Sequence, residues 1–240
     1  MRRLPALIVF AATAIGLGGC QHNAVEAPGA TAAATASAAT PASAGSTSAY
    51  VRAHLKDYVP VRLDADLSGF DASQKQMLAR LVQAADVMNA IYWQQAWGSR
   101  ESLMERIDDA PTRRFADINF GPWDRLNDNH PFVPGVGPRP PAARFYPANM
   151  SKAEFEAAPL EDKTSLYTLL RRNDAGALVT IPYHQAYRSD LEHAASLLQQ
   201  ASRLAENADF AKYLSMRAEA LLSDQYRASD FAWMDMRGNP

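Results

Sequence analysis

The chain has 240 residues, with 24 Lys and Arg against 26 Asp and Glu, a formal charge of −2. Without a basic surplus it lacks the electrostatic footprint of a nucleic-acid binder or of a protein held on a membrane by charge alone. Its one cysteine, Cys20, excludes an intramolecular disulfide, so stability has to come from an ordinary apolar core.

Residues 1–20 are the most specific stretch. Arg2 and Arg3 precede an apolar run from Leu4 to Leu17, which ends in Leu17-Gly18-Gly19-Cys20. This resembles a bacterial lipoprotein signal peptide with its lipobox, and the run is short of the roughly 20 residues a spanning helix needs. Removal of residues 1–20 takes both arginines with it, and the formal charge becomes −4. The resemblance implies lipid on Cys20 as the membrane partner. One acyl chain holds only marginally, at about 0.8 kcal/mol per buried methylene, so several chains are implied. Gln21 follows in place of Asp, which favours the outer membrane, facing the periplasm.

Residues 21–48 are nearly all Ala, Ser, Thr, Pro and Gly. Nothing there builds a core, so a disordered tether is expected, with the ordered domain over 49–240. About 190 residues can bury roughly 70% of their unfolded surface. Asp71 and Gln74 form a capping pair ahead of a helix over 72–97, whose face carries Met77, Leu78, Leu81, Ala85, Met88 and Ile91 and which ends at Gly98. Ser99 caps a second helix with Leu103, Met104 and Ile107, limited by Pro111.

Between 119 and 147, seven prolines and three glycines exclude regular structure, yet Phe120, Trp123, Phe132, Phe145 and Tyr146 sit among them. Disordered linkers are poor in aromatics, so this reads as a long ordered loop pinned by rings. Ser151 and Glu154 suit a capping box for a short helix to Ala158. Tyr167–Arg172 and Ala177–Ile181 flank the turn Asn173-Asp174-Ala175-Gly176 as a β-hairpin, which Pro182 ends. Helical patterns follow at 184–206 and 209–226. Residues 231–240 combine Phe231, Trp233, Met234 and Met236 with turn chemistry, and read as the first half of a hairpin cut before its partner. The fold class expected is mainly α with a small β-hairpin.

Chemistry is hard to find. Of His22, His54, His130, His184 and His193, none belongs to a His-Glu-x-x-His pattern, and His184 and His193 fall about half a turn apart on a helix. Each reads as a surface or hydrogen-bonded histidine. There is no Gly-x-Ser-x-Gly elbow and no Walker loop, and Gly135-Val136-Gly137-Pro138 lacks the preceding strand a dinucleotide loop needs. Asp108/Asp109 and Glu161/Asp162 point apart as neighbours and suit helix starts or surface. Glu101 and Glu105, beside Arg100 and Arg106, suit a solvated face.

Asn119-Phe120-Gly121-Pro122-Trp123-Asp124-Arg125-Leu126, then Pro131-Phe132-Val133-Pro134-Gly135-Val136 and Phe145-Tyr146-Pro147-Ala148-Asn149-Met150, with Ile181–Tyr187 and Ser229–Trp233, resemble the N-terminal region of bacterial dipeptidyl peptidase III-like zinc metallohydrolases. The resemblance covers about 50–240. It implies the helical front lobe of a two-lobed enzyme that hydrolyses peptides, with zinc held by a His-Glu-x-x-Gly-His motif and a further glutamate. None of those positions maps onto this chain. An N-terminal portion is therefore expected, inactive alone, binding no zinc itself, with no catalytic residues. Asn119, Trp123, Asp124 and Tyr146 are the candidate cleft-lining positions. The alternative is a complete noncatalytic envelope lipoprotein that binds peptide or a protein partner.

Overall fold

The computed structural model describes residues 44–237. Residues 1–43 and 238–240, and with them the signal segment, Cys20, most of the expected tether and the end of the C-terminal turn, lie outside the described residues.

Helix α1 runs Ala44–His54, so order begins inside the stretch expected to be tether. The reason is burial: Val51 is fully enclosed and Thr47 nearly so, which ties the helix down. A 3₁₀ turn, Leu55–Asp57, leads into an extended segment. Helix α2, Ala72–Ala96, starts at the expected capping box: Gln74 N–H donates to Asp71 Oδ1 at 2.8 Å and Asp71 N–H donates to Gln74 Oε1 at 3.1 Å. Ser99 caps α3, Arg100–Glu105, as expected.

Helix α4, Ala110–Asn119, is a departure from the sequence reading. Pro111 does not merely limit the previous helix; it opens this one. Asp109 accepts from Thr112 N–H at 3.0 Å, which puts Pro111 in the first turn, where its missing N–H costs nothing. The helix closes at Phe120, left-handed at φ 52°, with Gly121 N–H reaching back to Ala116 O at 3.1 Å. A phenylalanine in that conformation is strained. Its ring is held edge-on to Tyr92 at 4.7 Å and beside Trp93 at 5.5 Å.

The proline-rich stretch is irregular apart from two short antiparallel strands, β1, Trp123–Asp124, and β2, His130–Pro131. Helix α5, Lys152–Ala157, has Ser151 accepting from Glu154 N–H, while the Glu154 carboxylate turns away to a bidentate pair with Arg172 at 2.6 and 2.9 Å. The expected hairpin forms from β3, Thr168–Arg172, and β4, Leu178–Pro182, in register Leu170↔Thr180. The helix expected over 184–206 is two: α6, Tyr183–Ala186, and α7, Arg188–Leu204, interrupted at Tyr187. Helix α8 is Ala208–Ser223.

The C-terminal strand is not formed. Residues Arg227–Asp235 make helix α9. Its first turn is fixed by contacts distant in sequence or hidden from it: Asp230 meets Arg217 at 2.5 Å, and Ser229, 1% exposed, donates to Tyr226 O at 2.7 Å.

Helix α2 is the spine. Ile91 and Trp93, two residues apart and so about 200° around the helix, face different cores. Trp93 joins Val51, Leu103, Ile107, Phe115, Phe132 and Val133 in one. Ile91 joins Leu169, Tyr187, Leu191, Ala194 and Leu221 in the other. Helix α7 runs back along α2, α8 packs on α7, and α9 on α8. A fully enclosed Leu103 or Phe115 contributes about 1.5–3 kcal/mol from burial. The described residues are thus mainly α with small β pairs, as expected. No helix among them is long and apolar enough to cross a membrane.

Candidate functional site

The proline-aromatic loop is held from below by one carboxylate. Asp124, 1% exposed, accepts from the Tyr50 hydroxyl at 2.9 Å on Oδ2, and from the Tyr58 hydroxyl at 2.9 Å and Leu126 N–H at 3.1 Å on Oδ1. The Tyr58 hydroxyl is also 2.9 Å from Asn119 Oδ1, so its single proton serves two acceptors. Asn119 Oδ1 accepts from Arg125 N–H at 2.9 Å, and its Nδ2 donates to Phe115 O at 3.0 Å. Asn127 Nδ2 completes the set, donating to the Tyr50 hydroxyl at 2.8 Å. Burial is the main cause that pushes the Tyr50 hydroxyl up to about 12 and raises that of Tyr58. Both therefore stay protonated donors at neutral pH. His54 Nδ1 lies 3.9 Å from Asp124 Oδ2 and 3.1 Å from Asp57 Oδ2.

This network braces β1; it does not present a reactive group. Asn119, 2% exposed, and Asp124 are buried, and their polar atoms bond neighbouring elements inside the fold. The structure brings Trp123 to their outer side. Its indole N–H donates to Gly137 O at 2.9 Å, and its ring meets Trp97 edge-on at 5.2 Å. The two indoles wall a groove of about 260 Å³, continued by Arg106, Val136, Pro138, Pro140 and Arg144. Tyr146 is elsewhere: 37% exposed, it packs its ring 6.0 Å from Phe155 of α5. Of the four candidate residues, Trp123 alone lines this concave surface. Trp97, Arg106 and Arg144 were missed; the Trp97-Gly98 helix end was the one local hint.

A second polar pair lies at the hairpin. His184 Nδ1 is 2.7 Å from Asp224 Oδ2, which also accepts the His184 backbone N–H at 3.1 Å. Asp224 sits left-handed at φ 58° at the end of α8. The pair joins α6 to α8, and among the described residues no hydroxyl or thiol is bonded to it that could act as a nucleophile. Among the described residues no group of three or more His, Cys, Asp or Glu side chains could hold a metal ion. A broader trough of about 640 Å³ between α2 and α7 is lined by mixed polar groups, Arg80, Asp86, Asp190 and His193 among them.

No protein-family model matches the chain. Two solved structures are similar over 78% of it: dipeptidyl peptidase III from Caldithrix abyssi, at 37% identity and TM-score 0.73, and dipeptidyl-peptidase III from Corallococcus sp. strain EGB, at 32% identity and TM-score 0.72. The chain covers 38% and 37% of those two chains. Among curated proteins, Nudix hydrolase 3 of Arabidopsis thaliana is 29% identical over 244 aligned positions, which take in 76% of this chain and 32% of that protein. The chain therefore spans about a third of the length of the relatives it matches.

Proposed function

We propose, from the premise that this chain is dipeptidyl peptidase III-like in sequence and fold, that it builds the helical front lobe of a zinc-dependent peptide hydrolase. The observation that carries this is the likeness to the Caldithrix abyssi structure, at 37% identity and TM-score 0.73. The described residues do not fit a zinc site themselves: His54 lies beside Asp57 and Asp124, and His184 pairs with Asp224, but no group of three or more His, Cys, Asp or Glu among them could hold a metal ion. No catalytic step is assigned to them. Their part is to hold the proline-aromatic loop and the hairpin in fixed positions. Metal binding and hydrolysis belong to sequence corresponding to the part of the relatives that this chain does not cover. The Leu-Gly-Gly-Cys motif adds an address: Cys20 carries lipid and holds the protein on the periplasmic side of the outer membrane.

A chimera tests the main claim. The chain is joined to the part of the Caldithrix abyssi protein outside the match, and release from a dipeptidyl naphthylamide is followed. Hydrolysis that stops on chelation is expected. A folded chimera that hydrolyses nothing would remove the basis of the proposal. The 240-residue chain alone, with added zinc, is expected to release no product; turnover there would put the site within these residues. For the anchor, labelled palmitate should enter the full chain in a bacterial host and not Cys20→Ala, and equal labelling would refute lipidation.

A further inference from the structure

We infer that the Trp97–Trp123 groove is a binding site for a peptide carboxylate carried next to an apolar side chain. Its walls supply apolar and aromatic surface, and its rim supplies two guanidinium groups. Arg144 Nη1 donates to Trp97 O at 3.3 Å, and Arg106 Nη2 donates to Pro134 O at 3.5 Å. Those are the side-chain bonds each makes, out of five N–H donors available to an arginine. No carboxylate among the described residues forms a salt bridge with either.

The backbone seats one of these groups in a specific way. Gly98, at φ +133°, lies under the Arg144 guanidinium, and a Cβ there would meet Nη1 at 3.4 Å and Cζ at 3.6 Å. A side chain at 98 would be strained by that φ, while its Cβ would meet the guanidinium only at ordinary contact distance. Behind it Arg171 is bound to Phe145 O at 3.2 Å and Leu170 O at 2.7 Å, again with no carboxylate partner. Burial, with a contribution from the Arg144 charge, lowers the Arg171 guanidinium below its ordinary range. Phe145, whose carbonyl Arg171 binds, follows Arg144 directly along the chain, and no carboxylate among the described residues forms a salt bridge with either arginine. A guanidinium is the side chain best matched to a carboxylate, which it can grip with two parallel N–H bonds.

Size narrows the ligand further. Small-molecule pockets begin at about 300 Å³, and this groove, at about 260 Å³, suits no more than one apolar side chain and one carboxylate. Either a C-terminal residue or an internal acidic side chain beside an apolar one would supply that chemistry. The inference does not depend on the hydrolase reading, because its test measures binding and not turnover.

The full chain is titrated with N-acetylphenylalanine, N-acetylphenylalaninamide and N-acetyl-Phe-Glu-amide, with tryptophan emission and calorimetry as readouts. At least one of the two carboxylates is expected to bind, with the plain amide about tenfold or more weaker. Binding of N-acetylphenylalanine identifies a C-terminal residue as the ligand, and binding of N-acetyl-Phe-Glu-amide an acidic side chain. Arg144→Gln and Arg106→Gln should each weaken the bound carboxylate about 10- to 100-fold, the loss expected for a charged hydrogen-bond pair. Arg144→Lys should fall between wild type and Gln, and melting curves confirm that each variant is folded. Equal affinity for the carboxylates and the amide, absence of binding by all three probes, or unchanged affinity in both folded Gln variants would overturn the site.

Discussion

Asp124→Ala removes the acceptor on which the proline-aromatic loop rests. Three donors converge there: the Tyr50 and Tyr58 hydroxyls, each at 2.9 Å, and Leu126 N–H at 3.1 Å. Truncation does not strand Tyr58, which still has Asn119 Oδ1 at 2.9 Å. It does remove the bonds that the Tyr50 hydroxyl and the N–H of Leu126, 68% exposed, make to a charged acceptor. Such bonds contribute about 1.5–3 kcal/mol each, and access to water puts both at the low end. The sum is about 3 kcal/mol, or a fall in Tm of about 6–12 °C for a domain of this size. Asp124→Asn keeps one acceptor oxygen and should lose about half as much. Thermal melting followed by far-UV circular dichroism reads both. If Asp124→Ala melted within about 2 °C of wild type, the carboxylate would not be the brace, and the loop would owe its order to aromatic packing.

Asp109→Ala should cost about 1 kcal/mol through loss of the α4 cap, read as a shift in the urea midpoint at unchanged slope; no shift would mean Pro111 alone starts the helix. At the end of α8, Asp224→Gly should destabilise less than Asp224→Ala: both lose the His184 contact, but glycine accepts φ 58° without strain, and the reverse order of Tm would refute the left-handed cap. Tyr50, Tyr183 and Tyr226 are each pushed up to about 12, chiefly by burial, so in the folded chain they should ionise well after ordinary tyrosines, seen as phenolate absorbance. On unfolding they return to about 10 and release protons there. Their contribution is therefore complete below pH 10 and lost as pH rises from about 10 to about 12, which denaturant titrations at stepped pH would show as falling stability.

The difference between what could and could not be read from the sequence is one of distance along the chain. The caps at Asp71, Ser99 and Ser151 and the hairpin turn at 173–176 are signals contained within a few residues, and each appears where the residues place it. Helix α4 is also locally encoded: Asp109 followed by Pro111 is a start signal, because a proline in the first turn lacks only an N–H that needs no partner there. Helix α9 is another matter. Aromatic and apolar residues at 231, 233 and 234 suit a strand by composition, and what makes them helical is an anchor in α8 and a buried serine. The Asp124 network spans 74 residues to Tyr50 and 66 to Tyr58, beyond the reach of any spacing rule. This bears on how a lone acid in an aromatic-rich loop is read. With hydroxyls converging on it from a preceding helix and turn, the same carboxylate that suggests a cleft becomes a brace for the loop, while among the described residues Arg106 and Arg144 pair with no carboxylate.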